Sequence, residues 1–197
     1  MTMKKLIISA VALIISATSF AQNWKLDAAH SKIQFSTKYL VISDVDGEFK
    51  KVDGTITSSK QDWTDLSATL TADVNSISTD NEMRDKHLKS DDFFNAEKFP
   101  TITFESKKIK NLGGNKYLLT GDLTIRDVTK SVSVPLVYNG SVKDPWGNLK
   151  AGFKATGKIN RKDFNLKYSN AAATGEAVVG DEVEFTADIV LIKQAVN

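Results

Sequence analysis

The chain has 197 residues, no cysteine, and 26 lysines and arginines against 24 aspartates and glutamates. Lys4 and Lys5 belong to a predicted leader, and without them 24 basic residues face 24 acidic ones. A chain of balanced charge lacks the excess of basic residues that nucleic-acid-binding proteins use to bind phosphates. The absence of cysteine excludes disulfides and a lipoprotein anchor. About 176 residues follow the leader, enough to bury the core of one domain.

The N-terminus has the three parts of a secretory signal peptide. These are a positive region at Lys4 and Lys5, an apolar run from Leu6 to Ala17, and a small-x-small cleavage signal at Ser19-Phe20-Ala21. The apolar run is shorter than the roughly 20 residues that span a bilayer. We predict cleavage between Ala21 and Gln22, a single domain over residues 22–197, no integral membrane span, and a periplasmic or secreted protein.

Period-two alternation, the pattern of strands with one buried side, follows in chain order. It occurs in SKIQFSTKY, LSATLTADVNSI, TITFES, SVSVPLVY, LKAGFKATGKI and VEFTADIVLI. Turn residues between these segments predict turns at Asp46-Gly47, Asp53-Gly54, Gly113-Gly114-Asn115, Asn139-Gly140 and Asp144-Pro145-Trp146-Gly147. Pro135 has no backbone N–H to donate, which predicts an edge strand or an N–H position without a partner. The pattern indicates an all-β antiparallel fold and leaves a barrel and a two-sheet sandwich open.

The residues that this alternation points inward include many small side chains. They are Ala68, Ala72, Ala151, Ala155, Gly157 and Ala187. A closed barrel of roughly eight strands lined by them would leave space for one ligand. The alternative is a filled sandwich in which the alanines mark close contacts between the sheets.

The alternation stops in STDNEMRDKHLKSDDFFNAEKFP. Thr79, followed three residues later by Glu82, is a capping-box signature and predicts a short helix near residues 79–90. Met83, His87 and Leu88 share one side of this helix, which we expect to face the mouth of a barrel.

His87 is one of only two histidines in the chain, the other being His30. A metal site would therefore depend on carboxylates from unrelated segments, and no G-x-S-x-G motif supports a hydrolase. Two interpretations remain for His87. It either fixes the helix to a loop through a hydrogen bond or contacts the polar head group of a ligand. We predict neither a catalytic site nor a metal site.

Five long segments occupy most of the chain after the leader. They are WKLDAAHSKIQFSTKYLVISDVDGEFKKVDGTI, RDKHLKSDDFFNAEKFPTITFES, LTGDLTIRDVTKSVSVPL, GKINRKDFNLKY and VGDEVEFTADIVL. In sequence and order they resemble the YceI-like proteins, exported bacterial proteins of the polyisoprenoid-binding, lipocalin-like type. The resemblance implies an extended antiparallel β-barrel with a helical insertion around an elongated apolar channel. It also implies a lipid-binding or carrier protein that holds an isoprenoid or fatty amphiphile and uses no cofactor.

Carried over by position, the resemblance singles out residues in three motifs. They are Asp27, His30 and Ser31, then Arg84, Asp85, His87, Leu88 and Phe93, and finally Asn160, Arg161, Asp163 and Phe164. The chain departs from the family pattern twice. Lys38-Tyr39 stands where a histidine often follows the lysine, and Asn165 stands where glycine commonly follows Asp-Phe. Because Asn tolerates left-handed backbone, we expect the turn at Asn165 to be kept.

Alternation and resemblance together predict a binding site. The predicted channel residues are Phe35, Leu70, Val74, Phe104, Leu123, Ile125, Phe153 and Phe185. The predicted mouth or lid residues are Met83, Leu88, Phe93, Phe94 and Phe164, and the head-group candidates are Arg84, His87 and Arg161. The alternative is a filled barrel that acts as a structural or interaction protein of the periplasm without a small-molecule ligand. A homodimer is left open in both cases.

Overall fold

The alternating segments form antiparallel strands in the computed structural model, which describes residues 22–175 and 177–195. The strands are β1 (Gln22–Leu26), β2 (Lys32–Tyr39), β3 (Ser43–Phe49), β4 (Val52–Ser58), β5 (Ser67–Asp73), β6 (Ile77–Ser78), β7 (Thr101–Gly113), β8 (Lys116–Ile125), β9 (Val128–Lys143), β10 (Leu149–Asn160) and β11 (Val179–Lys193). The helices are α1 (Glu82–Leu88) and two 3-10 helices, Val74–Ser76 and Arg161–Phe164. The predicted signal peptide, residues 1–21, lies outside the described residues.

The sheet closes because β11 pairs with strands along both of its edges. One edge pairs with β10, and the other pairs first with β2 and then with β1. The closed ring runs β1–β4–β5–β7–β8–β9–β10–β11, an antiparallel barrel of eight strands, and β2, β3 and β6 extend it on one side. The predicted barrel is confirmed, and the sandwich alternative is excluded.

The residues between β1 and β2 form hydrogen bonds and an ion pair with β10 and β11. The Ser31 hydroxyl accepts a hydrogen bond from the Val190 N–H at 2.9 Å. Asp27, only 9% exposed, lies 2.9 Å from both Lys150 Nζ and His30 Nδ1. Burial raises the pKa of Asp27, but the hydrogen bonds from Lys150 and His30 outweigh this effect and lower it below its usual value. These contacts fix the first strand against the last.

Two of the five predicted turns are present, and three are wrong. Residues 113–115 join β7 to β8, and residues 144–147 join β9 to β10. Asp46-Gly47, Asp53-Gly54 and Asn139-Gly140 instead lie inside β3, β4 and β9. Gly47 lies opposite Phe35, and a Cβ there would overlap the Phe35 ring. This glycine makes room for an aromatic side chain across the strand pair rather than for a turn.

One end of the barrel is closed by aromatic side chains around Trp63. The Trp63 ring lies 5.0 Å from both Trp24 and Phe153 and 5.7 Å from Tyr138, measured between ring centroids. Its loop is anchored by Asp65, whose carboxylate accepts hydrogen bonds from the Ser58 hydroxyl and from backbone N–H groups. We call this group of four rings the aromatic floor.

The opposite end is covered by α1 and the segments that follow it. The predicted helix is confirmed, but its predicted cap is wrong: Asn81 Oδ1 accepts the hydrogen bond from the Arg84 N–H at 3.0 Å. The buried Thr79 instead donates from its N–H and its hydroxyl to Asp85, at 2.8 and 2.6 Å. No residue of α1 is fully buried, and Met83 is 84% exposed. Of the predicted apolar side, Leu88 packs against the core of the barrel, whereas Met83 does not.

Candidate functional site

An apolar cavity of about 250 Å³ lies inside the barrel. Inward-facing side chains of the long strands form its wall, and Leu88, Phe93 and Phe94 cover one end. The accessible surface of this wall is entirely apolar. Phe153 belongs to the aromatic floor and also lines the cavity, so the floor closes the other end of the cavity. The barrel therefore encloses a space that suits an apolar chain and offers little to a polar molecule.

Seven of the eight predicted channel residues lie on this wall. They are Phe35, Leu70, Phe104, Leu123, Ile125, Phe153 and Phe185. Val74 is 1% exposed but does not line the cavity, because the chain leaves the extended conformation after Asp73 and forms a 3-10 helix. The period-two rule no longer applies to a residue in such a helix.

Small residues and several larger aliphatic ones complete the wall. Four of the small residues that the alternation points inward line the cavity: Ala68, Ala72, Ala155 and Ala187. Lining residues that were not assigned to the channel from sequence include Val132, Val134, Leu136, Ile159 and Ile189. All five stand on the inward side of an alternating segment, so the period-two alternation could have assigned them to the channel.

The predicted mouth residues lie at three different depths. Leu88, Phe93 and Phe94 line the cavity. Phe164 is 2% exposed and packs outside the cavity in a second cluster with Phe93, Ile125 and Leu166. Met83 points to solvent. The cover over the cavity is therefore formed by the residues at the end of α1 and after it.

Arg161 is buried, and its guanidinium is engaged within the protein. It donates to the carbonyl oxygens of Gly180, Leu166, Tyr168 and Val179 at 2.7–3.3 Å and to the Asp181 carboxylate at 3.0 Å. Leu166 and Tyr168 lie in the connection between β10 and β11, and the other three partners lie at the start of β11. The contacts favour a structural role for Arg161, which fixes that connection to the start of β11. Arg161 also lines the cavity, and its head-group role stays a prediction.

Arg84 and His87 are bonded to their own segment. Arg84 donates from Nε and Nη2 to the hydroxyl and carbonyl oxygens of Thr79, both at 2.7 Å. His87 Nε2 lies 2.9 Å from Asp92 Oδ2, and its ring packs edge-on against Phe93 and Tyr168, each with centroids 5.1 Å apart. This geometry matches the first interpretation of His87, in which it fixes the helix to the following loop. A head-group role for either residue stays a prediction.

Asn165 has the left-handed backbone expected from the sequence. It ends the 3-10 helix Arg161–Phe164 with a φ of 59°, and its N–H donates to the Lys162 carbonyl. The turn is therefore kept although glycine is absent.

Over 22–175 and 177–195, no group of three or more His, Cys, Asp or Glu side chains is arranged to hold a metal ion. In the same part of the chain, no helix has the length and apolar character needed to cross a bilayer.

Comparison with known proteins places these features in a family. The family model of the YceI-like domain matches residues 24–191. The UPF0312 protein plu2095 of Photorhabdus laumondii is 41% identical over 173 residues, which are 86% of this chain and 90% of the relative.

Two solved structures share the barrel. BcnA of Burkholderia cenocepacia superposes with a TM-score of 0.73 and 28% identity, over 84% of this chain and 98% of BcnA. A polyisoprenoid binding domain from Saccharophagus degradans superposes with a TM-score of 0.67 and 16% identity, over 87% of this chain and 98% of that domain. With the sequence match and the barrel in agreement, the chain belongs to the family of YceI-like domains.

Proposed function

We propose that this protein binds a lipophilic molecule, an isoprenoid or a fatty amphiphile, in the barrel cavity and carries or stores it in the cell envelope. The enclosed wall without accessible polar surface is the observation that carries this proposal. Membership in the YceI-like family supports it, and so does the shared fold of a domain described as polyisoprenoid binding. The predicted leader supports a periplasmic or secreted location.

The energetics of the cavity favour an apolar chain. An apolar chain that loses about 300 Å² of water-accessible surface gains roughly 7 kcal/mol. A gain of this size alone corresponds to a dissociation constant of roughly 10 μM, and association costs reduce the gain, so we expect short chains to bind more weakly than this and longer chains more tightly.

The size of the cavity limits what it holds without rearrangement. Ligand pockets usually have volumes of roughly 300–1,000 Å³, and this cavity has about 250 Å³. A long chain therefore requires wall side chains to move. Phe35 and Phe185, which line the cavity and are only half-buried, are candidates for such movement.

Native mass spectrometry tests the proposal directly. The leader-free protein is purified from the periplasm of a producing bacterium, its mass is measured under native conditions, and any bound molecule is extracted and identified. We expect a stoichiometric lipophile. A ligand-free mass together with no uptake of added polyprenols would contradict the proposal and favour the filled-barrel interaction protein.

A matched pair of variants ties the bound molecule to the cavity. Ala155 lines the cavity, whereas Thr55 is an exposed residue of β4 outside it. We expect Ala155→Leu to lower the affinity for an added polyprenol about tenfold or more, because the new side chain occupies ligand space. Thr55→Leu should leave the affinity unchanged. Equal affinities of both variants would place the ligand elsewhere.

A further inference from the structure

The barrel wall contains a stretch where two neighbouring strands do not pair. β9 and β10 pair from Lys143↔Leu149 to Leu136↔Ala155. Beyond that point β9 pairs only with β8 and β10 only with β11. Among the described residues, 131–135 and 156–160 therefore face each other without registered backbone pairing. Five residues of strand span roughly 16 Å, and we call this stretch the β9–β10 seam.

Sequence features coincide with the start of this seam. Pairing stops at Leu136, directly next to Pro135, which has no N–H to donate. The edge-type position predicted for Pro135 is thus present inside a closed barrel. On the inner side of the seam, Val132 and Val134 from β9 and Ile159 from β10 line the cavity. The seam therefore has the apolar cavity directly behind it.

A second concave surface lies outside the barrel along the same seam. This outer groove has a volume of about 1090 Å³, and Ser133, Pro135 and Gly157 contribute to it from the two sides of the seam. Phe35 and Phe185 line both the outer groove and the inner cavity. The rings of these two residues separate the two spaces.

Phe185 has a close neighbour at the seam. A Cβ built on Gly157 would lie 2.6 Å from Phe185 Cζ, so the ring covers a residue that has no side chain. Rotation of this one side chain would open a path past Gly157, whose outer edge has no strand partner. If β9 and β10 were paired at this point, their hydrogen-bonded backbones would close the path.

We propose that the β9–β10 seam is a side port: the apolar chain of the ligand enters between the strands past Phe185, and its polar end stays in the outer groove. This inference rests on the proposed lipophile-binding function. It differs from entry through the end covered by α1, where Leu88, Phe93 and Phe94 lie over the cavity.

The charges of the outer groove indicate which polar end it accepts. Its ionic residues are Lys32, Lys154, Lys158, Asp46, Glu48, Asp80, Glu184 and Asp188. Lys154 lies 3.1 Å from Asp188, and Lys158 lies 2.7 Å from Glu184, so both ammonium groups already face carboxylates. Carboxylates outnumber lysines, which disfavours an anionic group. An uncharged hydrogen-bonding end, an alcohol or an amide, fits this groove.

Two phenylalanine variants test the port through loading rates. Phe104 is the matched control, because it lines the same cavity and a Cβ on Gly121 would lie 2.6 Å from its ring, but β7 and β8 pair around Gly121. Farnesol is mixed with Phe185→Ala and Phe104→Ala in stopped-flow experiments. Loading is followed by tryptophan fluorescence. Both variants also carry Trp146→Phe, so that the fluorescence comes only from the buried Trp24 and Trp63.

We expect Phe185→Ala to load roughly tenfold faster than the protein with Trp146→Phe alone, within the range over which association rates vary among related complexes. Phe104→Ala enlarges the same cavity without opening the seam, so it should accelerate loading several-fold less than Phe185→Ala does. Equal acceleration in the two variants would overturn the port and leave general loosening of the wall as the cause.

Cross-linking gives a second, independent test. The chain contains no cysteine, so Ser133→Cys and Lys158→Cys place two unique thiols on opposite sides of the seam, where a short bis-maleimide can bridge them. The control pair, Asp122→Cys and Ser131→Cys, lies across the paired β8–β9 seam. Bridging the first pair should slow farnesol loading tenfold or more, and bridging the control pair should not.

The outcomes separate the port from the function. Unchanged loading after bridging the β9–β10 seam contradicts the port while the unbridged protein still binds. Failure of the unbridged protein to bind any lipophile refutes the proposed function itself. For the polar end, we expect farnesol to bind at least about tenfold more tightly than farnesyl phosphate, because the groove has excess carboxylate. The opposite order would refute the assignment of an uncharged head.

Discussion

Asp27 and Arg161 are buried ionic groups whose partners all lie within the protein. Arg161 is 3% exposed and Asp27 9% exposed. Arg161 fixes the β10–β11 connection, and Asp27 fixes the gap between β1 and β2 to β10 through Lys150. The family motifs that contain them therefore have a structural basis in this chain. Sequence reasoning identified these residues but could not assign their partners, because several partners lie on distant segments and many are backbone carbonyls.

Arg161→Lys should destabilise the protein by about 2–3 kcal/mol. Lysine cannot reproduce the planar fork of donors, so buried carbonyl oxygens of the β10–β11 connection lose their hydrogen bonds. Urea denaturation measures the change in the free energy of unfolding. The control Arg84→Lys loses contacts to Thr79 alone, from an exposed side chain of α1, and should change it by less than about 1 kcal/mol. Similar losses in both variants would contradict a special role for Arg161.

Asp27→Asn should lower the free energy of unfolding by about 2 kcal/mol at neutral pH. The pKa of Asp27 is lower in the folded state than its ordinary value of 3.8. Its contribution is therefore complete above that value and is lost as the pH falls through the folded pKa. The difference between wild type and variant should shrink as the pH is lowered from about 5 to about 3. A constant difference in urea denaturation across this range would show that the carboxylate charge is not responsible.

At the scale of elements, the sequence predicted most strands and one helix because their side-chain periods are fixed by backbone geometry. The predictions failed where a residue has a role that period and turn propensity do not describe. Gly47 makes room for Phe35 inside a strand, and Val74 lies in a short 3-10 helix. The channel was largely predictable for the same reason that the strands were. The β9–β10 seam was not predictable, since pairing between strands depends on tertiary structure. In the sequence, only Pro135 indicated a position without a strand partner.

Asn165 offers a test of local backbone geometry. Its φ of 59° is left-handed, a conformation that costs residues with a Cβ roughly 1–2 kcal/mol relative to glycine. We expect Asn165→Gly to be more stable than Asn165→Ala by about 1 kcal/mol in thermal or urea unfolding. Both variants lose the same hydrogen bond from the Asn165 side chain to Asp127, so the comparison isolates the backbone. Equal stabilities would contradict the left-handed assignment.

At the scale of the whole molecule, the cavity is the feature through which we expect ligand binding to raise the free energy of unfolding. The aromatic floor closes one end of the barrel and the residues at the end of α1 and after it cover the other, so an apolar chain bound as proposed would contact the wall along its length. The small residues on the wall leave this space empty of protein. A ligand that fills it binds the folded state only, because the unfolded chain has no such enclosure.

Saturation with farnesol should therefore stabilise the protein by about 2.7 kcal/mol at a free concentration one hundred times the dissociation constant. Thermal unfolding with increasing farnesol measures this as a rise in Tm that depends on concentration. Ala155→Leu should show a smaller rise at the same concentrations because its cavity is partly filled. An identical rise in the variant would indicate binding to the outer surface.

The double pairing of β11 also sets the order in which the molecule can assemble. Val179–Lys193 supply the strand that joins β10 to β1 and β2, so the ring cannot close before this segment has been synthesised. Until then the chain has two open sheet edges, which are prone to associate with other chains. Such late closure through contacts between distant segments makes folding slow. For a chain with a predicted export leader, slow closure would help it to remain unfolded until it has crossed the membrane.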